Sequence, residues 1–595
     1  MNVSDHLLQR LAAWGVRIVY GYPGDGINGL MGAFNRNDHG IRFIQARHEE
    51  MAAFMACAHA KFTGEVGVCL ATSGPGAIHL LNGLYDAKLD HTPVLAIVGQ
   101  SARSAIGGSY QQEVDLPSLF KDVAHEYVHT CMTPESAGLL LDRALRIAKS
   151  ERTVTCVIVP KDVQELDAVL RAPHEHDQVP TSLDYSEPRV LPSDAQLERA
   201  AALLNAGEKV AMLVGNGAKN AVDEVIAVAE TLGAGVAKAL LARAVIPDDL
   251  PYVTGAIGLL GTRPSYELMA ECDTLLMVGS SFPYSEFLPK PGKARAVQID
   301  IDGRSIGMRY AMDVNLVGDA RETLRALLPK LVQKPAGAWQ ERIRRSIADW
   351  DVLMAERAAL DADPINPQRL FSELSPLLPD ACILTADSGS VANWFARNLK
   401  LRRGMMASLS GGLATMGPAV PYAIAAKFAH PGRPVIAFAG DGAMQMNGNS
   451  ELVTIAKYWR EWQDPRLIVL VLENRDLNMV TWEMRAMSGD TRYAASQDIP
   501  AFPYAQYADL LGLQGIAIDE PGQIESAWRT ALSATRPVVI QARVDPNVAP
   551  FPPHITLKQA RSFGMSLLKG DSEEGGIIKQ AVRQLFPSVG EKTRS

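Results

Sequence analysis

Pro434-Val-Ile-Ala-Phe-Ala-Gly440-Asp441-Gly442 is the stretch whose reading decides the fold. Its run of β-branched and small residues has the composition of a parallel strand buried on both faces. A carboxylate at the C-terminal tip of such a strand lies where open α/β sheets bind their ligands. Gly440 and Gly442 let the backbone come close to an anion, and a helix starting near Asn447 aims its first amides at one. A second apolar run, Arg466-Leu-Ile-Val-Leu-Val-Leu472, delivers Asn474 from its own C-terminal end. Asp441 and Asn474 are therefore expected to meet over one hard cation, with diphosphate oxygens and a backbone carbonyl completing an octahedron. The long separation between them is assigned to an insertion around Tyr458-Trp-Arg-Glu-Trp-Gln-Asp464, between helix and strand, where extra length is tolerated.

Working outward, the same alternation of strands and helices recurs in three blocks. Residues 1–170 carry Arg17-Ile-Val-Tyr20, Val66-Gly-Val-Cys-Leu70, Val94-Leu-Ala-Ile-Val98 and Thr155-Cys-Val-Ile-Val159. A Pro- and charge-rich stretch from Ala172 to Pro192 reads as a linker. Residues 193–335 carry Val210-Ala-Met-Leu-Val214, Thr274-Leu-Leu-Met-Val278 and Ala296-Val-Gln-Ile-Asp300, and end at a seam near Gln333-Lys-Pro-Ala-Gly337. After a polar helix from Trp339 to Leu360, residues 366–548 carry Ile383-Leu-Thr-Ala386 and the Gly-Asp-Gly unit, and residues 549–595 form a tail. The predicted class is α/β, with three doubly wound parallel-sheet domains.

A chain of 595 residues is too long for one core, and 47% hydrophobic with 21% charged residues describes a globular protein. The net charge of −8 gives no electrostatic reason to expect nucleic-acid binding. Cys57, Cys69, Cys131, Cys156, Cys272 and Cys382 are scattered without a CxxC pair and read as reduced core residues. The N-terminus lacks a basic-then-apolar leader pattern and no run of 18 apolar residues occurs, so a cytoplasmic location is expected.

In the first block, Arg47-His48-Glu49-Glu50-Met51-Ala52-Ala53 follows the strand Ile41-Arg-Phe-Ile-Gln45. Glu49 is expected to open an Ala-rich amphipathic helix as a poised, partly desolvated carboxyl group, while Glu50 faces solvent. This motif, Thr72-Ser73-Gly74-Pro75-Gly76 and Asn82-Gly83-Leu84-Tyr85-Asp86-Ala87 resemble the decarboxylating thiamine enzymes, a family that includes pyruvate oxidases, acetolactate synthases and pyruvate decarboxylases. The resemblance covers nearly the whole chain and implies pyrimidine-binding, central and diphosphate-binding domains in that order. It implies Glu49 as the residue that activates thiamine diphosphate through its aminopyrimidine. Asp441, Asn474 and the carbonyl of Asp476 are implied as Mg²⁺ ligands. The implied cofactor cradle comprises Gly24, Ser73, Asn82, Ser388, Gly389, Ser390, Thr415, Met416, Gly440, Gly442, Ala443 and Met444, with Met416 wedged between the cofactor's rings. In this family each site combines the first block of one subunit with the third block of another, so a homodimer or homotetramer is implied.

The central block resembles the flavin-carrying members, through Val214-Gly-Asn-Gly-Ala218, Gly255 to Arg263, Gly279-Ser-Ser-Phe-Pro-Tyr284, Gln298-Ile-Asp-Ile-Asp302 and Val317-Gly-Asp-Ala320. Gly215, Gly217, Gly279, Asp300, Asp302 and Asp319 are the implied FAD contacts. Val480-Thr-Trp-Glu-Met-Arg485 and Pro552-Pro-His-Ile-Thr-Leu-Lys-Gln-Ala560 are similar to segments of pyruvate oxidase and the quinone-linked pyruvate dehydrogenase. They place Val480 and Glu483 over the reacting carbon, with Gln112 as a further catalytic residue. Tyr110-Gln111-Gln112-Glu113 stands where pyruvate decarboxylases carry a His-His pair, which argues against simple aldehyde release. Gln111 replaces an expected Phe and Asn478 a usual glycine; Gln111 either favours a more polar 2-oxo acid or points away. In the tail, Ile577-Ile578, Ala581-Val582 and Leu585-Phe586 repeat at helical spacing with basic flanks. Such a helix docks on protein or makes a weak peripheral contact with the inner membrane face. The expected activity is oxidative decarboxylation of a small 2-oxo acid, pyruvate foremost, with electrons passing through FAD to a quinone or oxygen. The alternatives are a carboligase with silent FAD and a non-catalytic homologue.

Overall fold

Three six-stranded, wholly parallel sheets organise the chain in a computed structural model that describes residues 1–36, 40–554, 559, 562, 563, 565, 566 and 580. The first sheet contains β1 (Ile18–Gly21), β2 (Arg42–Gln45), β3 (Gly67–Ala71), β4 (Val94–Gln100), β5 (Val128–Thr130) and β6 (Val154–Pro160). The second contains β7 (Val210–Val214), β8 (Gly235–Lys238), β9 (Val253–Ala256), β10 (Thr274–Val278), β11 (Arg295–Asp300) and β12 (Val314–Val317). The third contains β13 (Ile383–Ala386), β14 (Met406–Ser408), β15 (Val435–Gly440), β16 (Leu467–Glu473), β17 (Gln514–Ile518) and β18 (Val538–Arg543). Every residue of β4, β6 and β16 is buried, as expected of strands covered by helices on both faces.

Strand order shows how the sheets place their ligands. The first sheet runs β2-β1-β3-β4-β6-β5 and the third β14-β13-β15-β16-β18-β17, the same winding repeated. The order reverses between β1 and β3 in one and between β13 and β15 in the other, and the crevice at such a reversal is where doubly wound folds bind ligands. The middle sheet, β12-β11-β10-β7-β8-β9, has the dinucleotide-type order, with its reversal between β7 and β10. Most of the sequence-predicted glycine turns leave one of these six strands, while Gly255 to Gly261 runs on from β9 and Gly318 follows β12.

The helices used below are α1 (Glu49–Thr63), α2 (Leu81–Leu89), α3 (Ala338–Ala359), α4 (Ser390–Asn398), α5 (Ala419–Ala429), α6 (Asn449–Tyr458) and α7 (Asn478–Glu483). α1 is not amphipathic in the expected sense. Residues Met51 to Ala58 are all fully buried, because one side packs on the first sheet and α2 and the other on α5 of the C-terminal domain. Phe54 meets Tyr422 edge to face across that seam, with ring centroids 6.4 Å apart.

The segment Tyr458–Asp464 is more than a tolerated insertion. Tyr458 Oη accepts the Gln45 amide at 3.0 Å, Arg42 pairs with Glu461, and Trp462 packs edge-on to Phe428. It stitches the third domain to the first. Residues 166–192 form no regular element, and Arg146 donates to the carbonyls of Ser182 and Asp184, which lays this stretch over the first domain. All six cysteines are free and buried. Among the described residues no helix is long and apolar enough to cross a membrane. The predicted tail helix from Ile577 to Phe586 lies, apart from Gln580, outside the described residues.

Candidate active site

The third-domain half of the site forms at the β13–β15 reversal. Asp441 leaves β15 with its side chain only 2% exposed, and accepts the amides of Gly442 at 2.9 Å and Arg475 at 2.6 Å. Arg475 reaches it because its backbone is left-handed, φ 58°, turning the chain sharply after Asn474. Burial pushes the Asp441 carboxyl up to about 7, against the pull of those amides, and its nearest charged neighbour, Glu473, has the same sign. A cation beside such a carboxylate would offset its burial. The cradle around it is open: a Cβ added at Gly440 or at Gly389, φ 102°, would meet nothing within 4 Å. The donor set of Asp441 and Asn474 and the space beside them fit a hard divalent ion with a diphosphate.

Asp387 leaves β13 next door, and burial likewise pushes it up to about 7. It accepts the amides of Ser388 at 3.0 Å, Gly417 at 2.7 Å and Ala419 at 3.4 Å, tying the Ser388-Gly389-Ser390 turn to the Thr415-Met416 loop. Met416 Cε lies 3.6 Å from where a Gly442 Cβ would stand, so Met416 overhangs the Gly-Asp-Gly turn. Ala443 and Met444 are buried where the helix after Asp441 passes through a π turn, Met444–Gly448.

Asn474 Oδ1 accepts the Asp476 amide at 3.0 Å. The Asp476 side chain accepts from Thr481 Oγ1 at 2.9 Å, Asn478 Nδ2 at 3.2 Å and Arg492 Nε at 3.0 Å. Asn478 donates also to the Pro546 carbonyl at 2.7 Å, which explains why an amide serves where a glycine is usual. α7 follows directly, with Val480 and Glu483 exposed on one face and Thr481 and Trp482 buried on the other.

The first-domain half forms at the β1–β3 reversal. Gly24 is pressed onto Thr72, where an added Cβ would lie 2.5 Å from Thr72 Cβ, and the Gly26 amide donates to Thr72 Oγ1 at 2.9 Å. Ser73 Oγ donates to Gln112 Oε1 at 3.2 Å, placing Gln112 over Gly74. Gln111 beside it is exposed. Glu49 is 8% exposed at the start of α1, with His79 Nδ1 3.0 Å from Oε2. The donor atoms of His48, Glu49 and His79 lie within 4.8 Å of one another. The two imidazoles, however, overlap with centroids 4.3 Å apart and planes 30° apart. An ion bound to both would have to lie in both ring planes, so the cluster steadies the carboxylate.

Glu50 does not face solvent as expected. It is half-buried and accepts from Asn82 Nδ2 at 2.5 Å, because α2 packs over that side of α1. Asn82 Nδ2 also donates to Thr415 Oγ1 at 3.0 Å, so this predicted cofactor contact bridges the two domains.

In the middle domain Gly215 and Gly217 follow β7, and Gly279 follows β10, at the reversal of that sheet. Asp300 accepts the Asp302 amide at 3.0 Å, Asp302 caps the turn at Arg304 and pairs with that side chain, and Asp319 caps the helix after β12 through the Glu322 amide. His79, Arg475, Thr481 and Arg492 are site residues that motif reading missed. Of these, Thr481 stands inside the quoted segment from Val480 to Arg485 and His79 lies one turn after Gly76, whereas Arg475 and Arg492 fall outside any quoted segment.

Comparison with known proteins agrees with this geometry. The thiamine pyrophosphate enzyme N-terminal TPP-binding domain matches residues 1–119, the central domain 197–327 and the C-terminal TPP-binding domain 387–542. The thiamine pyrophosphate-containing protein YdaP of Bacillus subtilis is 36% identical over 591 residues, 98% of this chain and 99% of that one. The pyruvate oxidase of Lactiplantibacillus plantarum is 31% identical over 456 residues, 76% of this chain and 74% of that one. Acetolactate synthase isozyme 2 large subunit of Escherichia coli is 32% identical over 570 residues, 93% and 98% of the two chains. The chain thus belongs to the thiamine pyrophosphate enzymes, in the family that holds the pyruvate oxidases and acetolactate synthases.

Proposed function

We propose that this enzyme oxidatively decarboxylates a small 2-oxo acid, pyruvate foremost, using thiamine diphosphate, Mg²⁺ and FAD, with electrons leaving to a quinone or oxygen. The observation that carries the oxidative reading is the seat of the C-terminal segment. Trp482 of α7 packs on Phe551 and Phe563, with centroids 5.7 and 6.0 Å away, so these two rings hold the helix that presents Val480 and Glu483. The same rings flank Pro552 to Ala560, the segment likened to pyruvate oxidase and the quinone-linked pyruvate dehydrogenase.

Asp441, Asn474 and the Asp476 carbonyl would hold Mg²⁺, and the Gly440 and Gly389 turns would admit the diphosphate. When bound, the cofactor supplies a nucleophilic carbon and takes up the electron pair released with CO₂. Glu49 would exchange a proton with the bound cofactor's ring nitrogen through Oε1, which lies beside Gly76, while His79 occupies Oε2. Gln112 and Glu483 orient the substrate carboxylate and acyl group while Val480 limits its bulk. The turns at the β7–β10 reversal would hold FAD. A second copy completes the site, covering Ile78, Tyr110, Met446 and Val480, which are exposed in one chain.

Anaerobic addition of pyruvate to the holoenzyme tests this reading. Bleaching of the flavin band supports it. A flavin that stays yellow while acetolactate accumulates would overturn it in favour of the carboligase.

A further inference from the structure

A buried charged cluster lies where the N-terminal and C-terminal domains of one chain meet, about 18 Å along α1 from Glu49 at ~1.5 Å per residue. Lys61 Nζ, in the last turn of α1, donates to Asp90 Oδ2 at 2.6 Å, Tyr422 Oη at 2.7 Å and the Leu409 carbonyl at 3.0 Å. Tyr422 donates in turn to Asp86, and Ser410 bonds Asp86 as well. Asp90 accepts the Gly411 amide at 3.0 Å and the Gly412 amide at 2.5 Å. Asp86 and Asp90 come from α2 and its end, while Tyr422 lies on α5.

We propose that Lys61, Asp86 and Asp90 are positioning residues, a clamp that sets the loop from Leu409 to Met416 for cofactor binding. The inference rests on the reading of Thr415 and Met416 as part of the thiamine diphosphate cradle. Each of the four residues Leu409 to Gly412 is bonded to a first-domain side chain, and Ser410 Oγ passes the restraint on by accepting the Thr415 amide at 3.1 Å. Asn82 holds Thr415 from the same domain. A Cβ at Gly412 would lie 2.8 Å from both Leu89 Cβ and the Leu89 carbonyl, so the loop can seat against α2 only as glycine.

The energetics favour a positioning role over plain adhesion. Burying an ammonium beside two carboxylates costs more desolvation than an apolar contact of the same size, and apolar packing already joins α1 to α5. What apolar packing cannot do is satisfy and aim the amides of a loop with no strand or helix partner. Two of the cluster's acceptors are spent on those amides and one of its donors on the loop's first carbonyl. Because α1 carries Glu49 at one end and Lys61 at the other, one rigid helix sets both the activating carboxyl group and the opposite domain's cofactor loop.

The test uses the full chain with Asp90→Asn, Lys61→Gln, Lys61→Arg and the milder Tyr422→Phe. Two quantities are read: thiamine diphosphate half-saturation by fluorescence quenching at saturating Mg²⁺, and amide hydrogen exchange of residues 409–417 in the cofactor-free protein. Asp90→Asn and Lys61→Gln are expected to weaken cofactor binding roughly tenfold, as befits loss of a charge-assisted hydrogen bond. Exchange should quicken in 409–417 while β15 and β16 stay protected, with Tyr422→Phe intermediate and Lys61→Arg restoring most of the binding. Unchanged binding and exchange in the variants that fold would overturn the proposal. So would a loss of protection spread evenly over both domains, which marks simple adhesion. Failure of the wild type to bind thiamine diphosphate would instead refute the cradle reading, and the exchange measurement does not depend on it.

Discussion

Glu451 offers a stability experiment whose sign and size follow from its surroundings. It lies in the first turn of α6 with its side chain fully buried. Oε1 accepts the Arg47 amide at 2.8 Å, two residues before Glu49, and the Thr454 hydroxyl stands beside the carboxyl group. Burial pushes this carboxyl from its ordinary 4.5 up to about 7, with the Arg47 amide pulling the other way. Between those two values the folded chain keeps a proton that the unfolded chain has released. Stability therefore falls as pH rises through the window from 4.5 to about 7, then levels off. At about 1.4 kcal/mol per pH unit the full effect is about 3 kcal/mol.

Glu451→Gln removes the titration and keeps the oxygen that holds Arg47. Its new N–H has an acceptor in Thr454 Oγ1, one turn along and already beside the carboxyl group. The cofactor-free variant should be more stable than wild type by less than about 1 kcal/mol at pH 5 and by about 3 kcal/mol at pH 8.5. Urea midpoints at the two pH values, with m-values shown to be equal, make the measurement. A gain of the same size at both pH values, or no gain at pH 8.5, refutes the argument that burial of this carboxylate opposes folding. Glu451→Ala separates the two roles: it relieves the same charge but frees the chain before Glu49, so turnover falls in Ala and survives in Gln.

Three further outcomes are expected. Glu49→Gln should lower turnover by about 10²–10⁴, the range of a lost acid–base group, with thiamine diphosphate affinity within a small factor of wild type by fluorescence titration. Asn478→Gly should lose the bonds to Asp476 and Pro546, cost about 1–2 kcal/mol by urea unfolding, and raise the Mg²⁺ concentration needed for half-maximal activity. Chelation with EDTA should release thiamine diphosphate on a desalting column and added Mg²⁺ should restore binding, whereas Asp441→Ala should gain nothing from added Mg²⁺.

Much of the fold is legible because its central strands are buried on both faces. Runs such as Leu467–Glu473 must be apolar and β-branched, and the chain after each must turn where ligands bind. The short strands β5, β8, β9 and β14 carry no clear signal, since three or four residues such as Val128–Thr130 or Met406–Ser408 owe their form to a neighbour and not to composition. Glu50 was misplaced for a related reason. Assigning a face requires a polar stripe, and α1, enclosed by two domains, has none. The left-handed turn at Arg475 carries no residue signature at all, though it aims an amide at Asp441. Contacts across domains, such as Asn82 to Thr415 or Lys61 to Leu409, join residues more than 300 positions apart and leave no local pattern.

The middle domain shows why glycine motifs mark a place better than they mark a ligand. A Cβ at Gly215 would fall 2.0 Å from the Gly279 carbonyl oxygen, and one at Gly217 would fall 2.8 Å from Gly279 Cα. Gly279 itself sits at φ 56° and would strike Gly217 in return. These three glycines are demanded by the contact of two turns at the sheet's reversal, with or without a flavin between neighbouring loops. Asp302 and Asp319, likewise, have local capping duties that would preserve them in a protein without FAD. The dinucleotide-type strand order brings all of them to one crevice, so it is topology that supports a nucleotide there. The decision between oxidase and carboligase therefore falls to the α7 face and the tail beneath Trp482. Loosening that seat with Phe563→Ala should slow flavin bleaching while leaving the flavin bound; equal bleaching rates would detach the tail from the chemistry.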